Sequence, residues 1–298
     1  MLLTDTQSAE QLIENVASEL EAADLYYGHG TDNAWDEACW LVETLLRRYG
    51  QDTAGKDSAL PEALLGELGS LLEMRIQRRK PLAYLLQEAW FAGLPFYVDE
   101  RVLVPRSPLA ELIASDFSHL LRTRPHRILD LCTGSGCIGI AAALQYPEAN
   151  VVLSDLSDAA LQVAQINIEK HDLTKRVEIL QSDLFASMPE RFDLILCNPP
   201  YVGESEYQDL PAEYHEEPVQ GLLSEDNGLA IPLQVIRQAA DYLTEDGCLI
   251  LEVGNSWEAL EAALSGESLL WLEFDNGGYG VCVLYTTQLR RLAGLHGS

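Results

Sequence analysis

From Arg127 onward, short apolar runs and amphipathic segments take turns along the chain, and this alternation restricts the fold more than any other feature. Apolar runs at 128–132, 151–154, 177–180, 194–197 and 248–253 predict strands, and the segments at 138–145, 159–170 and 229–243 predict helices. Strands separated by helices of this length predict a mainly parallel sheet covered on both faces. Two further strands, at 269–274 and 280–285, have no convincing helix between them, which predicts an antiparallel hairpin at the sheet edge.

The first part of the chain reads differently. Helical periodicity at 8–23, 33–48 and 60–79 predicts a small all-helical region, with Asn33 as an N-cap and Asp36 and Glu37 in the first turn, where the helix dipole favours anions. A turn-rich stretch, 26–33, and a polar loop, 51–58, separate these helices. Residues 84–104 are apolar and aromatic and are interrupted by Gly93-Leu94-Pro95, a hairpin pattern that ends in Val104-Pro105-Arg106. At 298 residues the chain has room for about two domains. The expected division is a helical substrate-recognition domain at 1–83, a linking hairpin at 84–106 and the alternating domain at 107–298. The chain has no internal repeat and no low-complexity tract.

Charge narrows the possible partners. Nineteen Lys and Arg face 47 Asp and Glu, a formal net charge of -28, so the average surface repels phosphate backbones and anionic lipid. The start of the chain has no cationic segment followed by an apolar run, and no stretch approaches ~18 uninterrupted apolar residues. The expectation is a cytoplasmic protein with no membrane partner. The six cysteines form no C-x-x-C pair and several sit in apolar runs, which points to reduced structural thiols and to no metal site.

The first predicted strand runs into a glycine-rich turn, Asp130-Leu131-Cys132-Thr133-Gly134-Ser135-Gly136, and then a helix. With Gly139 this is G-x-G-x-x-G between strand and helix, where glycines let the backbone approach a ligand at a helix N-terminus. A second acid, Asp155, ends the next strand nineteen positions after Gly136, placed to accept hydrogen bonds from ribose hydroxyls. Dinucleotide and S-adenosylmethionine enzymes share that spacing. Asp130 tilts the choice, because a carboxylate here disfavours a pyrophosphate and suits a cationic sulfonium and amino group. Asp183 and Leu184, after the third strand, fall where such a fold contacts adenine.

The fourth strand ends in Asn198-Pro199-Pro200-Tyr201. Two prolines fix φ and remove two N–H donors, so the loop is stiff and its carbonyls are left to face a ligand. An NH2 group supplies the matching donors: one hydrogen to the Asn198 side-chain oxygen, the other to the Pro199 carbonyl, with Tyr201 packed against the planar group. The chemistry implied is methyl transfer to an amide or aromatic amine nitrogen.

Asp130 to Gly136 together with Asn198 to Tyr201, preceded by a helical region and Val104-Pro105-Arg106, resembles the protein N5-glutamine methyltransferases over nearly the whole chain. The resemblance implies a seven-stranded, Rossmann-like class I methyltransferase domain using S-adenosyl-L-methionine without a metal. It implies cofactor contacts at Cys132, Thr133, Gly134, Ser135, Gly136, Asp155, Leu184 and Asn198, and a glutamine held by Asn198, Pro199, Pro200 and Tyr201. Residues 27–33, 96–101 and 272–278 resemble the branch that modifies a protein of the large ribosomal subunit. They look different from the branch acting on peptide-chain release factors, where Leu184 would be Trp.

Amine methylation of RNA or DNA uses the same Asn-Pro-Pro-Tyr chemistry, so the motif defines the reaction more narrowly than the acceptor. From Phe192 to Gln288 the only Lys or Arg is Arg237, against eighteen Asp and Glu, and the loop after the motif carries Glu204, Glu206, Asp209, Glu213, Glu216 and Glu217. Such a surface excludes DNA and favours a basic ribosomal protein, with RNA met only if the acceptor is presented in an assembling particle. The basic cluster Arg75, Arg78, Arg79 and Lys80 suits a helix C-terminus better than an RNA contact. Arg106 is expected either to order the loop beside the active site or to lie on the surface.

Overall fold

A computed structural model describes residues 8–51, 60–117, 119–264 and 267–295. The first seven residues, and the expected polar loop beyond Gln51, lie outside the described residues. The chain divides into two compact units, one made of Met1–Ala89 with Pro211–Glu216 and the other of Trp90–Leu210 with Glu217–Ser298.

The first unit contains α1 (Ala9–Ala22), α2 (Ala34–Arg48), α3 (Glu62–Arg78) and α4 (Leu82–Leu86). Ser8 and Gln11 form a reciprocal capping box, and Asn33 accepts the Asp36 N–H at the start of α2. Leucines at helical spacing close the core, among them Leu12, Leu20, Leu41, Leu45, Leu64 and Leu68. Arg79 ends α3 in the left-handed conformation at φ 59°. Arg75, one turn earlier, is buried rather than one of a set of surface cations. Its Nε donates to Glu37 Oε1 at 2.5 Å and its Nη1 to Glu213 Oε1 at 3.1 Å, while Nη2 donates to the Tyr26 carbonyl. Glu213 sits in the single turn Ala212–Glu216, which belongs to this unit although the sequence places it just after the Asn-Pro-Pro-Tyr motif.

The boundary between the units falls inside the hairpin of β1 (Ala89–Phe91) and β2 (Leu94–Phe96), turned by Ala92 and Gly93, and the second unit starts at Trp90. Both turn residues have positive φ, 49° and 74°, the geometry whose twist matches flanking strands. The sequence had suggested Gly93-Leu94-Pro95 as the turn and a longer hairpin. Leu94 and Pro95 instead lie in β2, and strand pairing stops because side chains take over, Asn167 Oδ1 accepting the Tyr97 N–H at 2.7 Å.

After α5 (Leu109–Ala114) come β3 (Arg127–Leu131), α6 (Cys137–Gln145), β4 (Asn150–Asp155), α7 (Asp158–Lys170), β5 (Val177–Gln181) and β6 (Phe192–Cys197). Next are α8 (Glu204–Asp209), α9 (Val219–Leu222), α10 (Ala230–Tyr242), β7 (Leu243–Glu252), α11 (Trp257–Ala263), β8 (Leu270–Trp271), β9 (Val281–Tyr285) and α12 (Thr286–Leu295). The sheet order is β5-β4-β3-β6-β7-β9-β8. Strands β3 to β7 pair in parallel, and β9 pairs antiparallel to both β7 and β8, the expected edge hairpin. Alternate residues of each central strand enter opposite cores: Ile128, Leu194 and Leu196 on one face, Leu129, Ile195 and Cys197 on the other. Both faces are therefore dry, and the central strands read as unbroken apolar runs.

The strand order reverses between β3 and β6, and Leu131 is in register with Cys197. The loops that follow these two strands leave the same end of the sheet side by side, at the switch point where open α/β sheets bind ligands.

Candidate active site

The loop after β3 is locked from beneath. Asp130 is buried; its Oδ2 accepts the Thr133 hydroxyl at 2.5 Å and the Gly139 N–H at 2.8 Å. Burial pushes the Asp130 carboxyl up to about 7, the two donors opposing that rise. Its Oδ1 and the Ser154 hydroxyl are buried without a hydrogen-bond partner. Asp130 is thus first a strut of the turn, a role its sequence position concealed. Gly139 permits this packing, because a Cβ there would lie 2.2 Å from Leu153 Cδ2 and 2.8 Å from Asp130 Cβ.

Cys132, Gly134 and Gly136 all adopt positive φ, and Gly136 leads directly into α6. The space where a Gly134 Cβ would stand is open to 4 Å. Asp155, at the end of β4, accepts the Gly134 N–H on Oδ2 and the Ser157 N–H on Oδ1, each at 2.9 Å. Burial raises its pKa, the N–H donors acting against that. Asp183 is exposed, whereas Leu184 is buried against the sheet at φ 47°, an unusual conformation for leucine. The Leu184 side chain packs into the apolar core with Leu129, Leu131 and Val152.

The motif loop continues from β6. Asn198 and Pro200 are half-buried and Pro199 is buried. The Tyr201 hydroxyl donates to Glu252 Oε1 at 3.2 Å, and its carbonyl accepts the Ser256 hydroxyl at 2.9 Å. Two glycines make room for this residue: a Cβ on Gly254 would fall 2.6 Å from the Tyr201 ring, and one on Gly228 would fall 2.1 Å from its carbonyl oxygen. Beyond the motif, Val202 and Leu223 form a bridge, with the Ser224 N–H donating to the Val202 carbonyl. The loop is pinned on both sides while Asn198 stays accessible.

Sequence reasoning missed three of the groups around the motif. Glu252, at the end of β7, is buried; its Oε2 accepts the Ser107 hydroxyl at 2.5 Å. Glu217 is also buried, accepting Arg106 at 2.7 and 2.6 Å and the Val104 N–H at 2.9 Å. Arg106 therefore orders this region rather than lying free on the surface. Glu213 and Glu217 are internal ion-pair partners, so the acidic loop after the motif presents Glu204, Glu206, Asp209 and Glu216 to solvent, not all six acids. The one legible signal for Glu252 was an acid inside the apolar run Leu249-Ile250-Leu251-Glu252-Val253.

Residues 111–214 match the family model described as Methyltransferase small domain. A ribosomal protein uL3 glutamine methyltransferase of Francisella tularensis is 44% identical over 279 residues, covering 91% of this chain and 88% of the relative. The chain belongs to the uL3 glutamine methyltransferase family. A second member of that family, from Burkholderia pseudomallei, is 37% identical over a 302-residue alignment covering 98% of each chain. Among solved structures, the hMettl16 catalytic domain in complex with a MAT2A 3'UTR hairpin superimposes with a TM-score of 0.50 at 15% identity, covering 78% of this chain and 86% of that one. That likeness concerns the class I methyltransferase fold alone. The fold and family expected from the Asp130 and Asn198 motifs are thus the ones found. Among the described residues no cluster suited to a metal ion occurs, and no helix is long and apolar enough to cross a membrane.

Proposed function

We propose that this protein transfers a methyl group from S-adenosyl-L-methionine to the side-chain amide nitrogen of a glutamine in ribosomal protein uL3. Whole-length identity to uL3 glutamine methyltransferases carries the reading. The residues present suit the cofactor: an open glycine turn at a helix N-terminus, a carboxylate at Asp155 facing that turn, and a buried Asp130 oxygen with no partner. Cys132, Thr133, Gly134, Ser135, Gly136, Asp155, Asp183 and Leu184 would hold it, with Asn198 at the boundary between cofactor and acceptor. When bound, S-adenosylmethionine supplies an electrophilic methyl on a cationic sulfur.

The chain's own part is positioning. An amide nitrogen is a weak nucleophile because its lone pair is delocalised into the carbonyl. The Asn198 side-chain oxygen and the Pro199 carbonyl accept its two hydrogens and so favour the pyramidal form in which the lone pair is available. Pro200 keeps that carbonyl from turning away, and Tyr201 flanks the amide plane. The amide proton becomes acidic only after the nitrogen is alkylated, so no general base is required before attack. Orientation of this kind is worth roughly 7–11 kcal/mol.

The acidic surface supports a basic acceptor and disfavours DNA and free RNA. With six free cysteines, the protein works in the reducing cytoplasm. The test is to supply methyl-labelled S-adenosylmethionine with uL3, with release factors, with ribosomal RNA and with DNA in separate reactions, and to locate the label by mass spectrometry. Label on one glutamine of uL3 is expected. Label on a release factor would keep the chemistry and refute the acceptor, and label on a base would refute both.

A further inference from the structure

The methyl-transfer reading leaves one buried acid beside the motif without a task. Glu252 closes β7, one residue beyond Leu251, which is in register with Cys197 immediately before Asn198. Both of its oxygens are engaged, Oε1 by the Tyr201 hydroxyl and Oε2 by Ser107. Ser107 has no freedom to donate elsewhere in this arrangement, because its oxygen accepts the Leu109 N–H at 3.1 Å and its single proton goes to Glu252. The Ser107 end is itself fixed, since Arg106 and Val104 are anchored on Glu217. A rigid strand end and a pinned segment thus meet at one carboxylate, and the other group it holds is the aromatic residue of the motif. Burial raises the Glu252 pKa, while Ser107, Tyr201 and the Arg106 charge favour the ionised form.

We infer that Glu252, braced by Ser107, is a positioning residue that sets the Tyr201 ring and with it the surface against which the acceptor amide is held. Gly254 gives the ring space, the Ser256 hydroxyl holds the Tyr201 backbone carbonyl, and the Glu252 carboxylate holds the ring at its hydroxyl. A donor-acceptor pair at the ring tip is the longest lever available, so a small displacement of Glu252 rotates the whole face. This inference rests on the glutamine reading above and adds a residue to it.

The variants Glu252→Gln, Tyr201→Phe, their double variant and Ser107→Ala test it in the full-length protein. Gln is isosteric and keeps the buried volume, so folding is retained where Glu252→Ala could fail. For Glu252→Gln, kcat on uL3 is expected to fall on the order of tenfold, with KM for uL3 and the Kd for S-adenosylmethionine within about twofold of wild type. The double variant should be no slower than Tyr201→Phe alone, because both remove the same link. Independently of any acceptor, the fluorotyrosine resonance identified by its loss in Tyr201→Phe should shift in Glu252→Gln and in Ser107→Ala. Multiplying losses in the double variant, or an unmoved resonance, would overturn the inference. Wild-type protein that leaves uL3 unlabelled while the resonance shifts would instead overturn the acceptor reading and leave the positioning role standing.

Discussion

Asn198 is the one side chain whose oxygen the proposed chemistry cannot replace, since the prolines that follow it offer carbonyls but no second side-chain acceptor. Asn198→Ala should therefore keep most of its S-adenosylmethionine affinity, measured by calorimetry, while transfer to uL3 falls by orders of magnitude; near-normal turnover would contradict the amide-holding role. Asp130 makes a prediction of a different kind. Its folded-state value of about 7 lies above the ordinary carboxylate value, so the folded protein holds that proton more tightly than the unfolded chain. The stability linked to it is fully present below the unfolded value and is lost as pH rises through about 7. Between pH 5 and pH 8, denaturant titration should show a decline in stability that is smaller in Asp130→Asn than in wild type, by on the order of 2 kcal/mol. Equal pH dependence in the two proteins would mean that the buried carboxyl is not strained by its surroundings.

At the scale of elements, the junction between β3 and α6 depends on one atom being absent, the Cβ of residue 139. Gly139→Ala would drive a methyl into Leu153 and Asp130 and should lower stability by about 1–3 kcal/mol in thermal unfolding. Gly66, on α3, has nothing within 4 Å of its Cβ position, so Gly66→Ala should raise stability by about 0.5–1 kcal/mol through helix propensity, read as a higher melting temperature. The opposite signs separate a packed glycine from an incidental one. The same contrast explains what could be read in advance. The central strands were legible because both faces are buried and a dry strand writes itself as a run such as Leu194-Ile195-Leu196-Cys197. Asn33 announced its helix because capping is chemistry within a few residues, whereas the Ser8 capping box emerged only in the structure. The Ala92-Gly93 turn was missed by one residue, since Pro95 looks like a breaker yet is tolerated in a two-stranded ribbon. Glu252, Ser107 and Glu217 were invisible as a group, because their partners lie 145, 51 and 111 positions away and no local pattern records such pairings.

For the whole molecule, a formal charge of -28 makes long-range attraction to a cationic acceptor a matter of ionic strength. Raising salt from about 0.05 M to about 0.5 M should lower kcat/KM for uL3 by about tenfold, while S-adenosylmethionine affinity should change little if the proposed turn holds it by short-range contacts. A flat salt profile would show that recognition is apolar. Charge counting alone had assigned all six acids after the motif to this surface, and Glu213 and Glu217 belong instead to internal ion pairs. Glu213 has one more consequence. The six residues around it complete the helical unit, although the chain on either side of them belongs to the sheet unit. The two parts are therefore interleaved along the gene and cannot be separated by one cut. A truncation that starts at residue 90 keeps Glu213 but discards Arg75, so the excised sheet unit would carry a loop whose carboxylate has lost that cation. By the same token, a helical unit transplanted without residues 211–216 would arrive with Arg75 short of one of its acids. The helices before residue 90 and the six residues at 211–216 are then one folding unit written in two places along the chain.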